Sequence, residues 1–236
     1  MKLLVSPKDE VEAEIAANGG ADIIDVKNPL EGSLGANFPW IIKKIRSAVP
    51  EGIEVSATIG DLPNLPGTAS LAAVGVASLG VDYVKAGIFG AEEKEDAIKM
   101  CDAIVSAVKD YDRRIKVVIA GYGDWRLVGS IDPLILVDTA KSAKADYVMV
   151  DTKNKDGRTL LDYMSLDEVG DFVKKAKKKK IGVGLAGSLD VTDIMTVSKL
   201  KPDVVGVRGA VCKDSDRMST LSEMKVRTLK SLIEEL

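Results

Sequence analysis

One repeated pattern constrains the fold more than any other feature of this chain. A short apolar run bounded by Gly, Pro or Asp is followed by a stretch whose apolar residues recur at helical spacing. Strands are predicted at residues 2–6, 22–27, 53–59, 82–87, 115–120, 146–151, 181–185 and 203–207. Helices are predicted at 8–18, 39–48, 68–79, 91–109, 132–144, 165–180, 190–200 and 215–236. The first helix closes on Gly19 and Gly20. The sixth starts with Ser165 and Glu168 in capping-box order. Its lysine-rich end suits the negative pole of the helix dipole and reads as a solvated terminus. Strands apolar on both faces, joined by short helical crossovers, are parallel βαβ units. About eight of them, with no linker and no shift of composition, predict a closed (β/α)₈ TIM barrel spanning residues 1–236 as a single domain. The alternative is a doubly wound open sheet. Its Gly-rich turn after the first strand is absent, because Ser6, Pro7 and Lys8 stand there.

The predicted strands also echo one another. Residues 21–28 (ADIIDVKN) resemble 145–151 (ADYVMVD), and 81–87 (VDYVKAG) resemble 203–209 (DVVGVRG). A duplicated half-barrel would produce that pattern.

Composition removes several classes of function. The chain carries 29% charged residues with a net charge of −3, and only 4% aromatic residues. That gives no basic surface for nucleic acid or a membrane and few platforms for base stacking. The N-terminus lacks the form of a signal peptide, and no apolar run approaches the ~20 residues of a membrane span. Cys101 and Cys212 lie far apart with no CxxC spacing. They read as packing residues in a reducing, cytoplasmic protein. Histidine is absent altogether. Ser-His and Cys-His nucleophiles and the commonest transition-metal ligand are thereby excluded, so acid–base chemistry falls to Lys, Asp, Glu, Tyr or Cys. Neither a cofactor nor a metal is expected. Mg²⁺ held by carboxylates would need a spacing that is not recognisable here. Exposed apolar helix faces favour a homo-oligomer.

In a barrel of this kind the C-terminal strand ends line the active site. Asp25 and Lys27 close the second strand, two residues apart and so on one face. Lys85 closes the fourth strand and Asp151 the sixth, with Lys155 just beyond. Glu31, Asp61, Asp124 and Trp125 lie on loops at the same rim. Even-numbered strands feed the same side-chain layers, so these charges can converge. One reading is a structural plug of ion pairs. Against it, buried charges cost several kcal/mol each unless paired, and Val or Ile would serve a plug better. The functional reading is amine catalysis. A confined lysine beside another cation loses its proton readily and attacks aldehydes and ketones. The imine then acidifies a neighbouring C–H, and carboxylates or a second lysine move protons.

Two Gly-rich turns follow the last strands, GLAGS at 184–188 and GVRGA at 206–210. Barrel phosphate sites commonly use the loops after strands seven and eight. Gly187, Ser188, Arg208 and Gly209 are therefore candidates for holding a small sugar phosphate. Tight turns alone would also explain such glycines, but two Gly-rich turns in the two expected places favour the ligand reading. Gly32 and Ser33, in the loop after the second strand, are candidates for a second anion.

At these residues the chain resembles a known family. Residues 25–36 (DVKNPLEGSLGA), 83–87 (YVKAG), 151–155 (DTKNK) and 184–188 (GLAGS) are similar to the (5-formylfuran-3-yl)methyl phosphate synthases of methanogenic archaea. These are also called 4-(hydroxymethyl)-2-furancarboxaldehyde-phosphate synthases. The resemblance implies a (β/α)₈ barrel that condenses two molecules of glyceraldehyde 3-phosphate. The product is a phosphorylated furan aldehyde on the route to methanofuran, formed with loss of phosphate and water. It also implies a Schiff base on Lys27 and a proton acceptor in Lys85, with Asp25, Asp151 and Lys155 assisting. From the residues alone, other lysine-dependent sugar-phosphate aldolases or decarboxylases remain open, as does a non-catalytic protein that binds a phosphorylated metabolite.

Overall fold

In the computed structural model, which describes residues 1–235, the eight apolar segments pair in parallel in chain order. They are β1 (Lys2–Val5), β2 (Ile23–Val26), β3 (Glu54–Leu62), β4 (Tyr83–Ile88), β5 (Lys116–Tyr122), β6 (Tyr147–Asp151), β7 (Gly182–Leu185) and β8 (Val204–Val207). β8 returns to β1, with Leu4 opposite Gly206 and Val5 opposite Val207, so the sheet has no edge. This is the closed (β/α)₈ barrel, and the open doubly wound sheet is excluded.

Helices α1 (Glu10–Asn18), α2 (Pro39–Ala48), α3 (Pro66–Ala77) and α4 (Lys94–Tyr111) follow the first four strands. Two short helices, α5 (Trp125–Val128) and α7 (Leu160–Tyr163), precede the longer α6 (Pro133–Ser142) and α8 (Leu166–Lys178). The last two are α9 (Val191–Ser198) and α10 (Glu223–Glu235). Local chemistry sets their starts. Proline supplies the fixed φ at the first turn of α2, α3 and α6. Ser165 with Glu168 and Asp190 with Asp193 form reciprocal capping boxes. Outward strand residues such as Ile24, Val26, Val84, Ile119 and Val150 pack against the helix layer, where α4 and α6 bury Met100, Ile104 and Leu136. A smaller cluster, including Leu4, Ile23, Tyr83, Val118 and Met149, fills the barrel itself. No helix among the described residues is long and apolar enough to cross a membrane.

One device recurs at the head of every even strand. Asp22 accepts the Leu3 N–H at 2.7 Å and Asp82 the Val55 N–H at 2.8 Å. Asp146 accepts the Val117 N–H at 2.7 Å and Asp203 the Val183 N–H at 2.8 Å. Each aspartate satisfies a backbone donor on the preceding odd strand. The sequence echo follows from this shared job at all four even strands, and a duplicated half-barrel is not required to produce it.

Three local differences from expectation matter for the site. β3 runs on to Leu62 instead of stopping at residue 59, through a register shift between Thr58 and Asp61. Gly60, at φ 116°, takes the left-handed turn in that irregularity. The rim loops contain α5 and α7 where only loop was expected. Finally, α10 begins at Glu223, not at residue 215. The intervening chain makes short 3₁₀ turns at Gly209–Val211 and Lys213–Ser215, and Cys212 then bridges back to Leu221.

Candidate active site

Alternation along the even strands sends Ile23, Asp25 and Lys27 inward from β2, and Tyr83 and Lys85 inward from β4. β6 contributes Tyr147, Met149 and Asp151. The bottom of the barrel is apolar. Charge appears one layer higher, at Asp25 and Lys85, and again at the mouth, at Lys27 and Asp151. All four side chains are buried. Above them opens a cavity of about 470 Å³, lined by these four residues and by Lys155, Gly187, Ser188, Arg208 and Gly209.

The two lysines face the same space but in different company. Lys85 Nζ donates to Asp25 Oδ2, and Ser6 Oγ donates to the same oxygen at 3.2 Å. Burial pushes the Asp25 carboxyl upward, but Lys85 and then Lys27 outweigh it, so it stays ionised below the usual carboxylate range. Asp25 Oδ1 has no hydrogen-bond partner among the described residues. Lys27 stands 3.8 Å from Asp151 Oδ2, too far for a hydrogen bond. Asp151 gives its other oxygen to Lys155 Nζ and to the Thr152 N–H, both at 2.7 Å. Burial raises the proton affinity of the Asp151 carboxyl, and Lys155 and Lys27 overcome that, leaving it lowered.

Burial is also the main influence on Lys27. It pulls the ammonium down to about 8; Asp151 opposes it, and the Lys85 charge adds to it. Relative to an ordinary lysine, that is on the order of 10²-fold more free amine at neutral pH. Lys27 is thus a buried amine, loosely paired, facing a cavity: the condition under which lysine becomes a nucleophile.

The two kinds of Gly-rich turn separate. After β7, Gly187 (φ 113°) and Ser188 (φ 53°) wind in the left-handed region. A side chain on Gly187 would press on Thr152 and Leu160. The backbone N–H groups of Gly187, Ser188 and Gly209 donate to no acceptor among the described residues, and all three residues line the cavity. After β2, the N–H groups of Ser33 and Leu34 instead donate to Asp61 Oδ2, at 3.0 and 3.3 Å. Ser33 Oγ donates to the Thr152 carbonyl, and Tyr122 donates to Asp61 Oδ1 at 2.6 Å. The anion in this turn is the chain's own carboxylate, and neither Gly32 nor Ser33 lines the cavity. The β3 irregularity delivers Asp61 to that position, which is the physical reason the expected second anion site is filled.

Arg208 is likewise engaged. Its guanidinium donates to Glu12 at 2.7 Å, and to the carbonyls of Ser6 and Arg217, both at 2.6 Å. It clamps the chain after β8 and has little left for a ligand. Asp124 holds the loop after β6 by accepting the Lys153 and Asn154 N–H groups. Neither cysteine lines the cavity; burial pushes the Cys101 thiol up to about 12. Sequence reasoning missed three contributors: Ser6, which bonds Asp25; Tyr122, which anchors Asp61; and Arg217, which lines the cavity. Ser6 closed an expected strand, where its inward direction could have been read, and Tyr122 stood two residues beyond the expected end of the fifth strand, which runs on to it. Nothing local marked Arg217.

Residues 3–230 match the family model described as 4-HFC-P synthase. The chain belongs to that family. Among the relatives of this synthase family is the (5-formylfuran-3-yl)methyl phosphate synthase of Archaeoglobus fulgidus, 49% identical over 98% of this chain and 99% of the relative. The protein of that name from Methanocaldococcus jannaschii is 48% identical over 98% and 99%. Solved structures share the fold at low identity. A 3-hexulose-6-phosphate synthase superposes with a TM-score of 0.65 at 20% identity, over 97% of this chain and 99% of that one. The phosphoribosyl anthranilate isomerase of Thermus thermophilus gives 0.60 at 15%, over 100% and 99%.

Proposed function

We propose that this synthase joins two molecules of glyceraldehyde 3-phosphate through an imine on Lys27. The product is the furan phosphate for which its relatives are named, an early intermediate of methanofuran. The observation that carries the reading is the buried Lys27 amine, lowered to about 8, facing a cavity whose lining offers backbone N–H groups with no acceptor among the described residues. Those donors suit a phosphate dianion.

The Lys27 amine attacks the aldehyde carbon, and loss of water gives the iminium. The positive nitrogen acidifies the adjacent C–H. The C–H proton passes to the Lys85–Asp25 relay, in which Lys85 Nζ donates to Asp25. Asp25 Oδ1, lacking a partner, is the open acceptor of that relay. Lys155 holds Asp151 in place beside Lys27, where its charge steadies the iminium. The second triose phosphate supplies the carbonyl for carbon–carbon bond formation. Two trioses minus one phosphate and two waters match the furan aldehyde phosphate without any oxidant or reductant. Aromaticity drives the closing dehydrations.

Reductive trapping tests this directly. Incubation with glyceraldehyde 3-phosphate and cyanoborohydride is expected to label Lys27, read by peptide mass. Without the reductant, a furan chromophore is expected to rise in the near ultraviolet. Label elsewhere, or an aldol product without the chromophore, would sink the assignment.

A further inference from the structure

Arg217 belongs to the segment between β8 and α10. Arg208 pins that segment from below, donating to the Arg217 carbonyl at 2.6 Å and to the Ser219 carbonyl at 3.4 Å. From this fixed base the Arg217 side chain crosses the mouth to the loop after β2, where Nη2 donates to the Gly32 carbonyl at 3.2 Å. That is its one side-chain hydrogen bond among the described residues, and a guanidinium has five donors. The side chain is half-buried and lines the same cavity as Lys27. Burial, and the neighbouring Arg208 charge, disfavour its cationic form, while Asp151 at longer range supports it.

The charges around it do not balance. Lys85 is matched by Asp25, and Arg208 by Glu12. Lys27 and Lys155 share Asp151. No carboxylate among the described residues pairs with Arg217. Asp190 and Asp216, also on the lining, are exposed and accept backbone N–H groups. A half-buried, geometrically fixed arginine with spare donors is a site for an anion, and its planar fork fits phosphate.

We propose that Arg217 is the cationic centre of a second phosphate subsite, which receives the phosphate that the reaction expels. The proposal rests on the imine reading above. The neutral N–H groups at Gly187, Ser188 and Gly209 suit the phosphate that is retained. A departing phosphate gains charge on its bridging oxygen and needs a cation there. Arg217 reaches the loop that directly follows Lys27, the side on which the imine-bound triose lies. Loss of the C2 proton turns the iminium into an enamine. The enamine electrons then restore C1=N and form C2=C3 while the C3–O bond breaks. Phosphate leaves with that electron pair, and nothing is oxidised or reduced.

Arg217→Gln and Arg217→Lys are compared with the unaltered enzyme, using glyceraldehyde 3-phosphate and cyanoborohydride. Arg217→Gln is expected to label Lys27 within about twofold of the normal rate, but with an adduct that keeps its phosphate. Phosphate release should fall about 10²-fold, and inhibition by inorganic phosphate should weaken. A phosphate-free adduct, with release and phosphate inhibition unchanged, overturns the subsite. Arg217→Lys keeps the charge and is expected to recover release to within about tenfold of normal. Should the glutamine variant fail to fold, Arg217→Met is measured in the same way, and release and phosphate inhibition unchanged in it overturn the proposal equally. Absence of any Lys27 label in the unaltered enzyme defeats the imine reading instead, and phosphate inhibition then judges Arg217 alone.

Discussion

Lys116 and Lys27 sit at opposite ends of one barrel, each among carboxylates and other lysines. At the N-terminal end Lys116 donates to Glu54 and to the Tyr83 hydroxyl, both at 2.9 Å, and lies over the Tyr83 ring. Lys2 also bonds Glu54. At the C-terminal end Lys27 has, among the described residues, only the Asp151 carboxylate at 3.8 Å. Burial is the first influence on both and pushes both toward the neutral amine. At Lys116 the hydrogen bonds overcome it and the ammonium is held above the ordinary range. At Lys27 nothing does, and it falls to about 8. Ion pairs in a barrel therefore do not mark a reactive site by their presence. The distinguishing feature is an amine whose burial is left uncompensated, with room beside it for a substrate.

The largest expected effect tests that distinction outright. Lys27→Ala should lose turnover on the order of 10³-fold or more, whereas Lys116→Met should stay within about threefold. Equal losses in steady-state assays would erase the contrast between the two ends.

A smaller effect probes how Lys27 is tuned. On the proposed mechanism only the neutral amine reacts, so trapping should rise with pH through about 8 and then level. Asp151 supports the ammonium, so Asp151→Asn should move that inflection lower, by roughly one unit. An inflection that stays put, or moves up, would show that Asp151 does not set the Lys27 proton affinity.

Smallest is a stability effect at the N-terminal end. Burial raises Glu54, but the bonds from Lys2 and Lys116 prevail and hold it at about 2, from 4.5. A depressed carboxyl stabilises the fold above its unfolded value, and that stability disappears as pH falls through the folded value. Glu54→Gln should flatten the loss between pH 4.5 and 2 by ~1–2 kcal/mol, after allowance for solvent screening. Urea unfolding at a series of pH values measures it; an unaltered acid limb would mean that the network at this end is not worth what its geometry suggests.

Legibility in the sequence followed the range of the interactions. Asp25, Lys27, Lys85 and Asp151 were visible because strand alternation is local, and a charge at an apolar strand's end stands out. The barrel was visible because βα alternation repeats. Asp61 in the Gly32 turn was not, since it depends on a register shift in a segment whose glycine and prolines read as loop. Arg217 was hidden because the Ser and Asp residues at 214–222 resemble a helix start. Asp214 and Ser215 instead take left-handed φ values of 54° and 57°, which the first turn of a right-handed α-helix does not accept. The engagement of Arg208 was hidden too, because Glu12 lies 196 residues away.

The Glu12–Arg208 clasp also bears on the order of events during folding. It joins the first helix to the chain beyond the last strand, and both side chains are buried in it. It forms only after nearly the whole chain has emerged and the final strand has docked. Lys27 owes its lowered proton affinity to the enclosure that this docking completes; on an open chain it is an ordinary ammonium. The lowered proton affinity of Lys27 thus arises only at closure, and a half-made chain carries an ordinary ammonium at that position.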